Sequence, residues 1–306
     1  MMKISTAIGH SFKQIGKRQY QEDSRYPDSN VSQAGQQFFV VCDGVGGSEK
    51  GEVASRIVAS TIGKQMSKYD LQQEFTDAQL LETLDEAYIA LDSAVDGTNN
   101  DMGTTMALVC LHGNGCTMSH IGDSRIYHVR PGEGILYRSD DHSLVNQMVH
   151  SGQLTPEQAI DHPQSNVITR CMSPTENDQR RSMATVFHTT NLRAGDYLLL
   201  CTDGVLHCIN DGDIVSLLEN KDTDEEKIAI MANRCKKSTD NNTTWLVRIE
   251  SIEKNESENH EQISEETTKT VTDTVQSKNS AMSMTELESV KRGKKSLIAK
   301  IRSIFN

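Results

Sequence analysis

Two stretches of this chain repeat apolar residues at the three-to-four spacing that places them along one side of a helix. Residues 49–68 carry Val53, Ile57, Val58, Ile62 and Met66, and residues 76–95 carry Leu80, Leu81, Leu84, Tyr88 and Leu91. Thr76 with Gln79 three positions on predicts a capping box at the start of the second helix. Apolar runs of strand length lie at 38–42, 104–111, 116–121, 125–129, 135–138, 197–201 and 244–249. Between them, HGNG at 112–115 and PGEG at 131–134 supply Gly and Pro where hairpin turns need them. Strands that follow one another through short turns favour antiparallel sheets with helices packed outside. The expected fold is therefore α+β, a four-layer α-β-β-α sandwich of two antiparallel sheets flanked by helices.

The pattern stops near Glu250. Residues 251–289 are mostly Glu, Ser, Thr, Asn and Lys, the composition of a solvated linker. The last residues, 290–306, place Leu297, Ile298, Ile301, Ile304 and Phe305 on one helical face, ringed by Lys294, Lys295, Lys300 and Arg302. The expected organisation is a domain at 1–250, a disordered polar linker at 251–289 and a basic amphipathic helix at 290–306. That last segment is suited to an anionic membrane surface or to a protein partner.

Charge narrows the partners. Against 31 Lys and Arg stand 43 Asp and Glu, a formal net charge of −12 that falls on the domain, because the tail is balanced. Nucleic acid selects for clustered cations, so no nucleic-acid binding is expected. The N-terminal stretch lacks the apolar core of a signal peptide, which makes a cytoplasmic location the expectation. Seven Cys without a CxxC pair, several inside apolar runs, argue against both disulfides and a zinc knuckle.

The informative chemistry is carboxylate. Several apolar runs end at, or start just after, an Asp beside small or polar residues, as in FFVVCDGVGG, TMSHIGDSR, YLLLCTDGV and STDNNTTWLV. Asp43, Asp123, Asp203 and Asp240 are thereby placed at strand ends, where side chains distant in sequence can converge. Converging carboxylates repel unless a cation sits among them, and all-oxygen ligation suits Mg or Mn better than zinc. Gly44 can offer a carbonyl at close range. Arg18 precedes Glu22 by four residues in RQYQED, so an extended segment can send a guanidinium to a phosphate and a carboxylate to a metal.

In order along residues 3–250, these motifs resemble the PPM or type 2C metal-dependent protein phosphatases. The set comprises RQYQED at 18–23, DGVGG at 43–47, GTT at 103–105, GDSR at 122–125, DHSLV at 141–145, HPQSNVITR at 162–170, CTDGV at 201–205 and DNNTT at 240–244. The resemblance implies two Mn2+ or Mg2+ ions. Asp43 would bridge them, Glu22, Asp203 and Asp240 would complete the ligands of the second ion, and Gly44 would give its carbonyl to the first ion. It further implies that Arg18 holds the substrate phosphate, and that Asp123 with Asp203 binds a weaker third ion. Asp23, Thr105 and His142 match supporting positions. Residues 143–170 resemble a flap beside the site that sets substrate choice, with a short helix after Leu154 capped by Thr155. Two departures stand out: Gln21 replaces the Asn common in bacterial members, and Val45 stands where many animal members carry a His.

The implied activity is hydrolysis of phosphoserine and phosphothreonine in proteins by a metal-bridging water. Arg18 and Asp43 are its catalytic residues and no phosphoenzyme is needed. Expected partners are phosphorylated proteins and a cognate Ser/Thr kinase or its targets, met by a monomer. Two other readings compete: a catalytically inactive phospho-sensing module, against which the complete carboxylate set weighs, and a small-molecule phosphate hydrolase on the same scaffold.

Overall fold

Buried on both faces, the run Phe38–Cys42 sends Phe39 and Val41 to one side and Phe38, Val40 and Cys42 to the other. That alternation, repeated in neighbouring strands, generates a layered fold. The computed structural model describes residues 1–45, 50–95, 102–160, 162–175 and 181–254. In chain order the strands are β1 (Met2–Thr6), β2 (His10–Gln14), β3 (Ser24–Tyr26), β4 (Phe38–Cys42), β5 (Gly44–Val45), β6 (Gly103–Thr104), β7 (Met106–His112), β8 (Gly115–Ile121), β9 (Arg125–Arg130), β10 (Gly134–Arg138), β11 (Thr185–Thr189), β12 (Tyr197–Cys201) and β13 (Asn242–Lys254). The helices are α1 (Lys50–Met66), α2 (Asp77–Ser93), α3 (Leu144–His150), α4 (Pro156–Ile160), α5 (Asp203–Leu206), α6 (Asp211–Glu219) and α7 (Asp224–Cys235).

One sheet runs β1-β13-β12-β9-β10, with β2 also paired to β13, and the other runs β11-β8-β7-β4-β3. Every pairing in both is antiparallel. Between the sheets lies one apolar layer that includes Phe39, Val41, Val109, Met118, Leu198, Leu200, Trp245 and Val247. Outside one sheet, Val58, Ile62 and Met66 of α1 and Leu80, Leu84 and Leu91 of α2 cover Phe38, Val40 and Leu108. Outside the other, Ile214, Leu217 and Leu218 of α6 and Met231 of α7 cover Tyr127, Val129 and Leu199. The four-layer α-β-β-α sandwich is thus the architecture found.

Local signals explain the helix starts. Thr76 and Gln79 form the expected capping box, and Asn210 with Asp213 and Thr223 with Glu226 form two more. Leu81 is a correction: expected on the inward face of α2, it is 62% exposed, because the buried arc centres on Leu80, Leu84 and Leu91. The last strand runs past Glu250 to Lys254, where Met2 of β1 pairs with it. The rest of the proposed linker, the basic helix at 290–306 and Gly46 and Gly47 of the DGVGG motif lie outside the described residues. No described helix is long and apolar enough to cross a membrane.

Candidate active site

Strand register gathers the site at one end of the sandwich. Val41 pairs with Ala107 and Met106 with Ile121, so the ends of β4 and β8 flank the start of β7. Cys201 pairs with both Arg125 and Thr244, which brings the end of β12 beside the starts of β9 and β13. Asp43, Asp123, Asp203 and Asp240 are the residues that leave or enter the sheets at these four points.

Their surroundings fix them in detail. Asp43 donates its amide to Thr105 Oγ1 at 2.9 Å, and its carbonyl accepts from the Thr105 amide at 2.8 Å and from Thr104 Oγ1 at 2.9 Å. Thr105 Oγ1 also meets Ser124 Oγ at 2.6 Å, so a single hydroxyl ties the Asp43 turn to the Asp123 turn. Gly122, at φ +100°, is confined against Thr105: a Cβ there would lie 2.6 Å from the Thr105 methyl. His142 grips the same turn twice. Its Nδ1 accepts from the Gly122 amide at 3.1 Å and its own amide donates to the Gly122 carbonyl at 3.0 Å. Asp23, buried, accepts from the Thr202 hydroxyl at 3.0 Å on Oδ2.

Glu22 is placed by its backbone. Its carbonyl accepts from Gly44 N at 3.1 Å, and its amide donates to Asn241 Oδ1 at 2.8 Å. Asn241 in turn donates to the carbonyls of Ile15 and Tyr20 at 2.9 and 3.0 Å, anchoring the whole RQYQED approach. Gly51, in the first turn of α1, is where Glu22 and Gly44 meet. A Cβ at Gly51 would lie 2.7 Å from Glu22 Oε1 and 3.0 Å from the Gly44 carbonyl oxygen. Neither Asn241 nor Gly51 was assigned a part from the sequence. Asn241 sat in view inside DNNTT, whereas Gly51 gave no signal, being one glycine in an amphipathic helix.

Electrostatics singles out the cluster. The Asp43 carboxyl is pushed well above the usual range by burial and by Asp23, Asp203 and Asp123, and it stands within hydrogen-bonding reach of Asp203. Burial, then Asp203 and Asp141, raises Asp123 to about 7. Burial raises Asp203 as well, partly offset by His207 and reinforced by Asp240. Asp203 Oδ1 and Asp23 Oδ1 are buried oxygens with no hydrogen-bond partner. Such self-repelling oxygens, two of them orphaned, fit a hard divalent cation.

Not all the expected ligands converge. Arg18 donates to Asp240 Oδ2 at 2.6 Å, so the proposed phosphate-binding guanidinium and a proposed ligand are engaged with each other. Among the described residues no three Asp, Glu, His or Cys groups stand close enough to form a ready ion cage. At contact distance the guanidinium attracts Asp240, which still bears electrostatically on Asp203 and Glu22. The second site arginine, Arg125, is committed to Asp141 through two contacts of 2.7 Å.

Beside the cluster, residues 143–170 form an excursion with a fastened base. Ser143 bridges to Ile168, Leu144 N donates to Val167 O at 2.8 Å, and Thr169 N donates to His142 O at 2.7 Å. Within it Thr155 caps α4, accepting from Gln158 N at 3.3 Å, as the TPEQ sequence predicts.

A self-repelling carboxylate cluster at the end of a β-sandwich marks the chain as one that seeks hard divalent cations. Comparison with known proteins supplies the class. The family model described as Protein phosphatase 2C matches residues 15–249. The chain is 35% identical over 193 residues to the protein phosphatase PhpP of Streptococcus pneumoniae, covering 62% of this chain and 75% of that protein. Its fold superimposes on the Mycobacterium tuberculosis serine/threonine phosphatase PstP/Ppp with a TM-score of 0.66 at 28% identity, covering 80% of this chain and 99% of that one. A structure of the PstP catalytic domain in complex with two manganese ions matches with a TM-score of 0.65 at 26% identity, covering 81% and 100%. The chain belongs to the protein phosphatase 2C family and is a protein phosphatase.

Proposed function

We propose that the chain removes phosphate from phosphoserine and phosphothreonine of other proteins, at the sandwich end where Asp43, Asp123 and Asp203 crowd together. The observation that carries this reading is the strand register that brings Asp43, Asp123 and Asp203 to one end of the sandwich, with the Asp43 and Asp123 turns tied through Thr105 Oγ1. Two Mn2+ or Mg2+ ions are the group the oxygens fit, with Glu22, Asp43, Asp203, Asp240 and the Gly44 carbonyl as their holders and Asp123 with Asp203 for a weaker third. When bound, the ions supply Lewis-acid charge that polarises the phosphoryl group and acidifies the attacking water.

The chain's own residues do the rest. Arg18, whose side chain is 53% exposed, exchanges Asp240 for the doubly charged phosphate and orients it through paired N–H donors. Thr105 and His142 hold the Asp43 and Asp123 turns in register, so the carboxylates need no rearrangement as charge builds up on the phosphoryl oxygens. Val45 offers no proton where animal relatives have a His, so the leaving serine oxygen takes its proton from water. The fastened 143–170 excursion bears on which phosphoprotein is accepted. The same reading makes a Ser/Thr kinase the functional counterpart, and the enzyme a cytoplasmic monomer.

Phosphate release from phosphoserine and phosphothreonine peptides, with Mn added and then chelated, tests the proposal. Turnover should follow the metal, and Asp43→Ala should remove nearly all of it in a folded protein. Undiminished turnover in that variant would sink the assignment. A parallel panel of phosphorylated metabolites separates a protein phosphatase from a small-molecule hydrolase.

A further inference from the structure

Two cysteines converge on one carbonyl of the short helix that carries Asp203. Cys208, two residues beyond α5, donates its amide to the Val205 carbonyl at 3.0 Å. Cys235, the last residue of α7, directs its Sγ to that same carbonyl from 4.0 Å. Both cysteines therefore stand on one carbonyl within the same apolar cluster, Cys235 wholly buried and Cys208 partly exposed. The polypeptide that continues from Cys235 reaches Asp240, and on the way Ser238 Oγ donates to the Gly204 carbonyl at 2.9 Å. Gly204 packs so closely on Asn241 that a Cβ would meet the Asn241 carbonyl. Asp203 and Asp240 therefore hang from two backbone segments that are laced together, with the thiol pair at the root of the lacing.

We propose that Cys208 and Cys235 are a redox modification site, forming a reversible disulfide with a peroxide as oxidant and thereby displacing Asp203 relative to Asp240. In the first step the Cys208 sulfur attacks a peroxide oxygen, the O–O bond breaks, and one water leaves. In the second the Cys235 sulfur attacks the resulting sulfenic sulfur, the S–S bond forms, the S–O bond breaks, and a second water leaves. Two electrons pass from the thiols to the peroxide, and both thiol protons end in water. Burial, with the Cys208 sulfur beside it, raises the Cys235 thiol, so the first oxidation falls on the more accessible Cys208.

Bonded sulfurs sit at about 2.05 Å, well inside non-bonded contact, so the α5 turn has to shift to close the bridge. A displacement of about 1 Å in a catalytic constellation costs on the order of 100-fold in rate. The effect on turnover rests on the proposed function; the bridge does not.

The full chain, reduced and then exposed to hydrogen peroxide, is alkylated and mapped by mass spectrometry without reduction, with Mn-dependent phosphopeptide turnover followed in parallel. Expected are a peptide linking Cys208 to Cys235, a tenfold or greater loss of turnover, and recovery of both states by dithiothreitol. Reduced Cys208→Ser should turn over like the parent and resist peroxide. Cys235→Ser serves as the reciprocal variant, and if it fails to fold the Cys208→Ser result still decides. Sulfinic acid at Cys208 with a free Cys235, reversible inactivation of Cys208→Ser, or a linked peptide with unchanged turnover each overturns the switch. A reduced parent that never turns over phosphopeptide instead sinks the functional reading, and the linked-peptide yield still judges the bridge.

Discussion

Stripped of divalent cations, the crowded aspartates should withdraw their contribution to stability as the pH rises from about 4 to about 7, against the opposite contribution of His112 and His142, which burial lowers to about 4. Burial lifts Asp23 to about 7, against the lowering effect of the Thr243 and Thr202 hydroxyls, and burial with Asp203 lifts Asp123 to about 7. An aspartate in an unfolded chain titrates near 3.9. Between those values the folded chain holds protons that the unfolded chain has released. The contribution of these two carboxyls is therefore full below about 4, falls through the window, and is lost once the pH passes about 7. Roughly three units at 1.36 kcal/mol each set a ceiling of about 4 kcal/mol per carboxyl. Both groups lean on Asp203, so their costs overlap, and a combined loss of about 3–5 kcal/mol is expected. For a domain of this size that corresponds to about 10 °C in melting temperature. Thermal melts in EDTA at about pH 5, 6 and 7.5, repeated with Mn, give the measurement. The gap in melting temperature between Mn and EDTA should widen stepwise as the pH rises, because the histidines titrate in both series and only the aspartates gain from the ion. A gap that stays flat or narrows across the series would refute the reasoning that the aspartates are crowded, charged and cation-seeking.

Other perturbations probe separate parts of the structure. Gly51→Ala brings a methyl to 2.7 Å from Glu22 Oε1 and 2.9 Å from the Gly44 carbonyl carbon, so Mn affinity by calorimetry should drop about tenfold with the fold retained. Asp196, buried against Arg130 at 2.7 Å and His128 at 2.8 Å, is a stability anchor away from the carboxylates. Asp196→Ala strands the buried Arg130 and should cost about 3–5 kcal/mol in urea unfolding. His142→Ala releases the Gly122 amide and the contact to Thr185 Oγ1 at 2.9 Å; kcat should fall about tenfold while KM for a small aryl phosphate barely moves.

How far the sequence reached depended on burial. Phe38–Cys42 and Tyr197–Cys201 were readable to the residue because both faces of each are covered and the runs are wholly apolar. Strands β1, β2, β3 and β11 escaped notice: half their residues face solvent or polar neighbours, and sequences such as HSFKQ and SRY carry no period of their own. Tertiary pairing with β13, β4 and β8 makes them strands. Helices α6 and α7 did announce themselves, through Asn210 to Asp213 and Thr223 to Glu226, and those capping boxes were the overlooked signal. At the site, strand-end aspartates were legible because Asp beside Gly after an apolar run marks a place as well as a residue. The engagement of Arg18 with Asp240 was not, since it joins positions at opposite ends of the domain.

The stitched base of the 143–170 excursion has an evolutionary corollary. Where Ser143 meets Ile168 and Leu144 meets Val167, the polypeptide leaves the scaffold and rejoins it through a narrow neck. Whatever is grafted beyond that neck, longer or shorter, imposes little closure entropy and leaves the carboxylates undisturbed. The excursion is thus a detachable module of the architecture, free to change in length while the carboxylate end stays put.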